Sequence, residues 1–135
     1  MGSLRFSVLP GSFAVVRLAP DAEVPVELLG PPFHSLTRTP AELSVVCPEG
    51  PLVPAGARVE AGWALLSLVG PFPFDLVGIL SSVLVPLARA GIGIFALSTF
   101  DTDYVLVKRE KLDAAIAAIV AAGHEFVGDA GPAGH

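Results

Sequence analysis

The sequence is short of the residue types on which most metal, redox and nucleic-acid sites depend. Its 135 residues include one cysteine, three histidines, and eight lysines and arginines against thirteen aspartates and glutamates. A single cysteine excludes an intramolecular disulfide and any zinc site built from several cysteines. The net charge of −5 and the scattered basic residues argue against binding to a nucleic-acid backbone, which requires clustered lysine and arginine.

Catalytic motifs are missing as well. His34, His124 and His135 do not have the spacing of metal ligands. Neither of the two common glycine-rich phosphate loops occurs, and there is no Gly-x-Ser-x-Gly nucleophile motif. Cys47 lies in an apolar, strand-like run, which favours a buried structural thiol over a nucleophile. We therefore expect no metal, no cofactor and no enzymatic activity.

The chain also lacks a long apolar segment. The N-terminus has no basic stretch followed by a hydrophobic one, and the apolar run 76–88 is too short to span a bilayer. Hydrophobic residues nevertheless make up 53% of the chain, with a mean hydropathy of +0.70. We expect a cytoplasmic protein without membrane contact, which buries part of this surface by forming homo-oligomers.

The second half of the chain alternates strands and helices in the order β-α-β-β-α-β. Apolar and β-branched runs predict strands at 63–69, 92–98, 104–107 and 124–127. Apolar residues at helical spacing predict helices at 75–90 and 110–122, ended by Gly91 and Gly123. This order predicts an α+β fold, a ferredoxin-like plait with an antiparallel sheet and helices on one face. Residues 48–61, rich in proline and glycine, are expected to form a connection.

An internal repeat places a second, reduced copy before this plait. Residues 35–46 align with 96–107 at an offset of sixty-one, and residues 13–18 align with 63–68 at an offset of fifty. The first copy therefore lacks about three helical turns. We expect a reduced unit at 1–61, a complete unit at 62–128 and a flexible tail at 129–135.

A polar turn separates the two middle strands of the complete unit. It contains Ser98, Thr99, Asp101, Thr102 and Asp103. Such side chains cap turns, and that is the favoured interpretation of the turn alone. Paired aspartates also hold ligands or perform acid–base catalysis, but no nucleophile accompanies them, so binding is favoured over catalysis.

The segment 70–76 is the other candidate binding element, because it leads into the predicted helix at Asp75. The backbone N–H groups of a helix start suit a carboxylate. We hypothesise that these amides bind a ligand carboxylate while the polar turn binds its ammonium group. In a plait we expect the turn at the opposite end of the same subunit, so that the two complete a site only across an interface.

Two stretches resemble the small ACT-domain proteins, which are related to the CASTOR arginine sensors and to the ACT regulatory domains of aspartate kinases. One is Glu42–Cys47 followed by Gly62–Trp63, and the other is Gly91–Val107 with its Ser-Thr-aromatic-Asp-Thr-Asp-aromatic motif. The resemblance covers about residues 4–127 and implies tandem βαββαβ units that bind amino acids at their interfaces. It implies ligand contacts from the loop and helix start (Gly70, Pro71, Phe72, Phe74, Asp75, Gly78) and from the polar turn (Ser98, Thr99, Asp101, Thr102, Asp103).

The sequence-based hypothesis is a non-catalytic regulatory protein that senses an amino acid at an inter-unit interface. The alternative is a structural or protein-interaction module without a small-molecule ligand. The sequence departs from an exact repeat, because the offset of sixty-one puts Pro40-Ala41 where the second copy has Asp101-Thr102. Two equivalent sites are therefore not expected.

Overall fold

The structure, a computed structural model, describes residues 3–50, 53–69 and 78–129. In these ranges the chain forms eight strands, two α-helices and two short 3₁₀ helices. The strands are β1 (Arg5–Val8), β2 (Phe13–Leu18), β3 (Ser35–Arg38), β4 (Leu43–Pro48), β5 (Arg58–Leu68), β6 (Phe95–Ser98), β7 (Asp103–Lys108) and β8 (Glu125–Asp129). The α-helices are α1 (Ser81–Arg89) and α2 (Leu112–Ala121), and the 3₁₀ helices span Val26–Leu28 and Arg109–Lys111. No helix within the described ranges is long and apolar enough to cross a membrane.

The chain divides into two compact units. The smaller unit is Gly11–Trp63, and the larger unit combines the start of the chain, up to Pro10, with the chain from Ala64 onward. The division 1–61, 62–128 and 129–135 stays a prediction. Of the predicted tail the structure describes only Asp129, which ends β8.

The larger unit has the predicted α+β plait with one additional strand. Its strands lie in the order β6-β7-β5-β1-β8. Strand β1 runs antiparallel to β5, with Phe6 opposite Leu68, and parallel to β8, with Phe6 opposite Phe126. The sheet is therefore mixed, where the sequence predicted an antiparallel one. The reason is that β1 lies between β5 and β8, so that β8 pairs with β1.

The smaller unit has a simpler architecture. Strand β4 pairs antiparallel with β3 and β2, and β2 pairs antiparallel with the first half of β5. The described residues of this unit form no α-helix, and the 3₁₀ helix Val26–Leu28 is the only helical turn among them. The sequence-based prediction that the first copy lacks about three helical turns agrees with this arrangement.

Strand β5 begins earlier than the sequence predicted. Arg58, Val59 and Glu60 pair with β2, although they fall in the range expected to be a connection. All three side chains are exposed, so the apolar pattern of a buried strand is missing there. From Ala64 to Leu68 the strand is fully buried, as its continuous apolar run predicted.

Both α-helices end at the predicted glycines. Gly91 and Gly123 have φ of +74° and +105°, a conformation that side chains with a Cβ rarely adopt. After α1, the N–H of Ile92 donates to the carbonyl of Leu87 at 3.0 Å, which closes the helix end. The core of the larger unit lies between these helices and the sheet, with Val83, Leu87 and Ile119 fully buried.

Candidate functional site

The polar turn in the larger unit connects β6 to β7. The N–H of Thr99 donates to the carbonyl of Thr102 at 2.8 Å, and the Thr102 N–H donates to the Thr99 hydroxyl oxygen at 3.3 Å. The Ser98 hydroxyl donates to the Asp103 carboxylate across the last strand pair. Most hydroxyls of the turn therefore stabilise the turn itself, as its favoured interpretation predicted.

Asp101 is the exception among these polar residues. Its side chain is exposed, and among the described residues its carboxylate has no hydrogen-bond or ion-pair partner. Phe100, beside it, is 79% exposed. The tip of the turn thus presents a carboxylate and an aromatic ring to the solvent, a combination that suits a cationic ligand group.

The turn lies at the carboxyl end of β5. The Thr102 hydroxyl donates to the carbonyl of Leu68, the last residue of β5, at 2.7 Å. The expectation that the turn lies at the opposite end of the unit from this strand end was therefore wrong. The error has a topological cause, since β7 is the direct neighbour of β5, and the hairpin before β7 reaches the end of β5. The polar turn therefore contacts the end of β5 within one unit.

The second predicted binding element is described only at its end. Gly70, Pro71, Phe72, Phe74 and Asp75 lie outside the described residues. Gly78 has φ of +82°, and its carbonyl accepts from the Ser82 N–H at 3.0 Å and from the Ser81 hydroxyl at 3.2 Å. Gly78 therefore forms the turn that leads into α1.

The hairpin of the smaller unit has the same turn, but at an offset of sixty. The Thr39 N–H donates to the Glu42 carbonyl at 2.8 Å, and the Glu42 N–H donates to the Thr39 hydroxyl oxygen at 3.1 Å. Thr39 is thus equivalent to Thr99, and Glu42 to Thr102. The gapless alignment at sixty-one was wrong by one residue, because strand pairing, not side-chain likeness, sets the register.

This corrected register shows what the smaller unit lacks. Pro40 stands at the position of Phe100, Ala41 at that of Asp101, and the buried Leu43 at that of Asp103. The Glu42 carboxylate instead lies 3.9 Å from Nε of Arg17. A second nitrogen of the same guanidinium donates to the Ala41 carbonyl. The acidic tip therefore occurs only in the larger unit's turn.

His124 links three segments of the larger unit. The sequence alone did not predict this role. The Leu4 N–H donates to its Nδ1 at 3.0 Å, so the ring is the neutral tautomer with the proton on Nε2. Nε2–H donates to the Ser82 carbonyl at 3.0 Å. The residue four positions after Ser82 is Pro86, which has no N–H, so His124 supplies the bond that the helix lacks there. A proline inside a predicted helix was the signal that an outside donor is required.

The geometry defines a class of protein, a βαββαβ plait with a polar turn at the end of its central strand. Comparison with known proteins agrees. A family model described as the ACT domain matches residues 58–120, and a second model, described as an N-terminal domain, matches residues 11–54. Protein Atu0741 from Agrobacterium tumefaciens, known from a crystal structure, is 38% identical, covers 95% of both chains and has a TM-score of 0.87.

Two further comparisons connect this chain to named proteins. "Putative protein CASTOR3P" of Homo sapiens is 34% identical over 92 residues, which are 59% of this chain and 56% of the human protein. This chain therefore spans little more than half of that relative. The regulatory subunit of aspartate kinase from Thermus thermophilus has a TM-score of 0.61 at 15% identity, covering 84% of this chain and 93% of the subunit, and shares the fold. Residues 58–120 of this chain therefore match an ACT domain.

Proposed function

We propose that this protein is a non-catalytic regulator that binds an amino acid beside the polar turn 98–103. The observation that carries the proposal is the Thr102–Leu68 hydrogen bond, which holds the turn at the carboxyl end of β5. The ACT family and the relationship to a CASTOR protein support an amino acid as the ligand class.

The turn divides its polar groups between structure and binding. Thr99 and Thr102 hold the backbone of the turn, and Ser98 holds Asp103. Asp101 has no such partner among the described residues and is the residue that receives the ligand's ammonium group. The proposal that Gly70, Pro71, Phe72, Phe74 and Asp75 bind the carboxylate rests on the sequence and the resemblance alone.

Regulation follows when the ligand also contacts a second copy of the chain. A ligand shared by two copies stabilises their association by its own binding free energy, so occupancy sets the oligomeric state.

The test is isothermal titration of the protein against the twenty amino acids, followed by the Asp101→Asn variant. We expect one amino acid, or one chemical class, to bind, and Asp101→Asn to weaken it by about tenfold or more because the charged acceptor is lost. Asp21→Asn, an exposed carboxylate in the smaller unit, is the matched control and is expected to bind normally.

Absence of heat with all twenty amino acids would overturn amino-acid binding. Sedimentation with and without each amino acid then tests the alternative, a structural or protein-interaction module. For such a module we expect an assembly whose size no amino acid changes. Unchanged affinity in Asp101→Asn would leave amino-acid binding intact but remove the polar turn as its site.

A further inference from the structure

The two units carry the same apolar sheet face but cover it differently. In the larger unit Ala64, Leu66 and Leu68 of β5 pack under the helices, where Leu87 and Ile119 are fully buried. At an offset of fifty the smaller unit presents Ala14, Val16 and Leu18 of β2. There the 3₁₀ helix Val26–Leu28 is the only helical turn among the described residues, and Leu28 is its one buried residue.

This incomplete cover leaves a cavity in the smaller unit. Its volume is about 220 Å³, and it is lined by the sheet face and by the segment that leads into β5. Ala14 and Val16 of β2 line it together with Cys47 of β4, Val59 of β5 and Leu28. The lining is mostly apolar, and burial raises the pKa of the Cys47 thiol, which keeps it uncharged.

The size of the cavity limits what can occupy it. An α-helix with its side chains is about 10–12 Å across and does not fit. Engineered apolar cavities of about 150 Å³ stay dry and bind benzene-sized molecules. A cavity of about 220 Å³ therefore accommodates an apolar body of one aromatic ring with a short substituent.

The charge at the rim limits the occupant further. Glu49 is the one charged residue among the described residues that line the cavity. Its carboxylate accepts the N–H of Gly62, which has φ of +82° and lies in a β-bulge where β5 has one residue more than β2. The bulge holds the carboxylate beside the cavity, where it repels an anionic ligand and attracts a cationic one.

We infer that the smaller unit binds a small molecule with an aromatic or branched aliphatic body and a neutral or positively charged polar end. This site is separate from the polar turn of the larger unit and does not depend on the proposed amino-acid binding. It exists because the described residues of the smaller unit keep an apolar sheet face but form no α-helix to cover it, unlike the equivalent face of the larger unit.

Three probes with the same ring test the inference on the full chain: 2-phenylethylamine, 2-phenylethanol and 3-phenylpropanoate. Methyl ¹H–¹³C NMR spectra locate the binding. We expect the amine and the alcohol to shift the methyl signals of Val16, Val53 and Val59 saturably, and to leave Val105 of the larger unit unshifted. The amine is expected to bind about two- to fivefold more tightly than the alcohol, and the anion most weakly.

Two pairs of variants sharpen the test. Ala61→Phe places a ring in the cavity and is expected to abolish binding, whereas Ala41→Phe makes the same change in an exposed turn outside the lining and is expected to retain it. Glu49→Gln keeps an acceptor for Gly62 and is expected to remove the preference for the amine, whereas Glu23→Gln neutralises an exposed carboxylate outside the lining and is expected to keep it.

Absence of saturable shifts with all three probes in the unmodified protein would overturn the site, whatever the variants do. Unchanged binding in a folded Ala61→Phe variant would do the same. Equal affinity for amine and anion would overturn the assigned charge preference.

Discussion

The two units contain the same type of hairpin turn but differ in the residue at its tip and in the elements that cover the sheet. Both have a threonine that bonds the residue three positions on, Thr39 in the smaller unit and Thr99 in the larger. The larger unit adds Asp101 at the tip and two α-helices over the sheet, whereas the smaller has Ala41 at the equivalent position and Leu28 as cover. The turn is therefore a structural element that both units share. Asp101 is present only in the turn of the larger unit, where its carboxylate is available for binding.

The largest expected effect on stability concerns the residues that cover the sheet in each unit. Ile119→Ala is expected to lower the free energy of unfolding by about 3–4 kcal/mol, because it leaves a void under two packed helices. Leu28→Ala is expected to cost about 2 kcal/mol, because Leu28 borders a cavity on one side. Urea denaturation measures both. Val26→Ala, 71% exposed, is the control with a change under about 0.5 kcal/mol. A larger loss for Leu28→Ala would contradict the difference in cover.

The next effect concerns the bond between His124 and α1, in the larger unit. His124→Ala is expected to cost about 1–3 kcal/mol, because the Leu4 N–H and the Ser82 carbonyl lose their partner. The exposed His34 is the control, and His34→Ala is expected to change stability by less than about 0.5 kcal/mol.

A double-mutant cycle with Pro86→Ala isolates the contribution of the hydrogen bond between His124 and the Ser82 carbonyl. The Pro86→Ala variant supplies the backbone N–H that proline lacks, so the cost of His124→Ala is expected to fall by about 1 kcal/mol in that background. Equal costs in the two backgrounds, measured by urea denaturation, would mean that His124 does not replace the missing helical bond.

A smaller effect on stability tests whether Thr39 and Thr99, sixty residues apart, have equivalent roles in the two turns. Thr39→Val and Thr99→Val are each expected to lower the free energy of unfolding by about 1 kcal/mol, since each removes the hydroxyl that holds its turn. Because the two turns are separate, the losses are expected to add in the double variant. Thermal denaturation measures them. A negligible loss in Thr39→Val alone would argue against the equivalence of the two turns.

The smallest effect concerns Cys47, which occupies the position of Val107 at the same offset. Burial raises the pKa of its thiol above the ordinary value of 9.0, so the folded state retains the proton more tightly than the unfolded state. Stability from this source is complete below about pH 9 and is lost as the pH rises through the folded-state pKa.

Cys47→Val removes the ionisable group and is expected to change the free energy of unfolding by less than about 1 kcal/mol at pH 7. Above about pH 9 we expect the original protein to lose stability relative to the variant in urea denaturation. Parallel pH profiles of the two proteins would contradict a raised pKa.

Local residue patterns predicted the C-terminal ends of both α-helices and the existence of the polar turn. Gly91 and Gly123 end α1 and α2 because they adopt a positive φ that other residues avoid. The start of β5 could not be predicted, because Arg58 and Glu60 are exposed and owe their strand conformation to pairing with β2. The position of β1 between β5 and β8 was equally inaccessible, since it joins residues that are far apart along the chain.

The sequence by itself indicated two related copies, the first with about three fewer helical turns, and an acidic turn in the second. These properties are local, since they follow from residue type and short-range spacing. Only the tertiary structure decided that the repeat offset is sixty, that Thr102 holds the turn against Leu68, and that His124 completes the helix at Pro86. Each of these depends on which distant strand or helix becomes a neighbour, and burial and strand register select that neighbour across the whole chain.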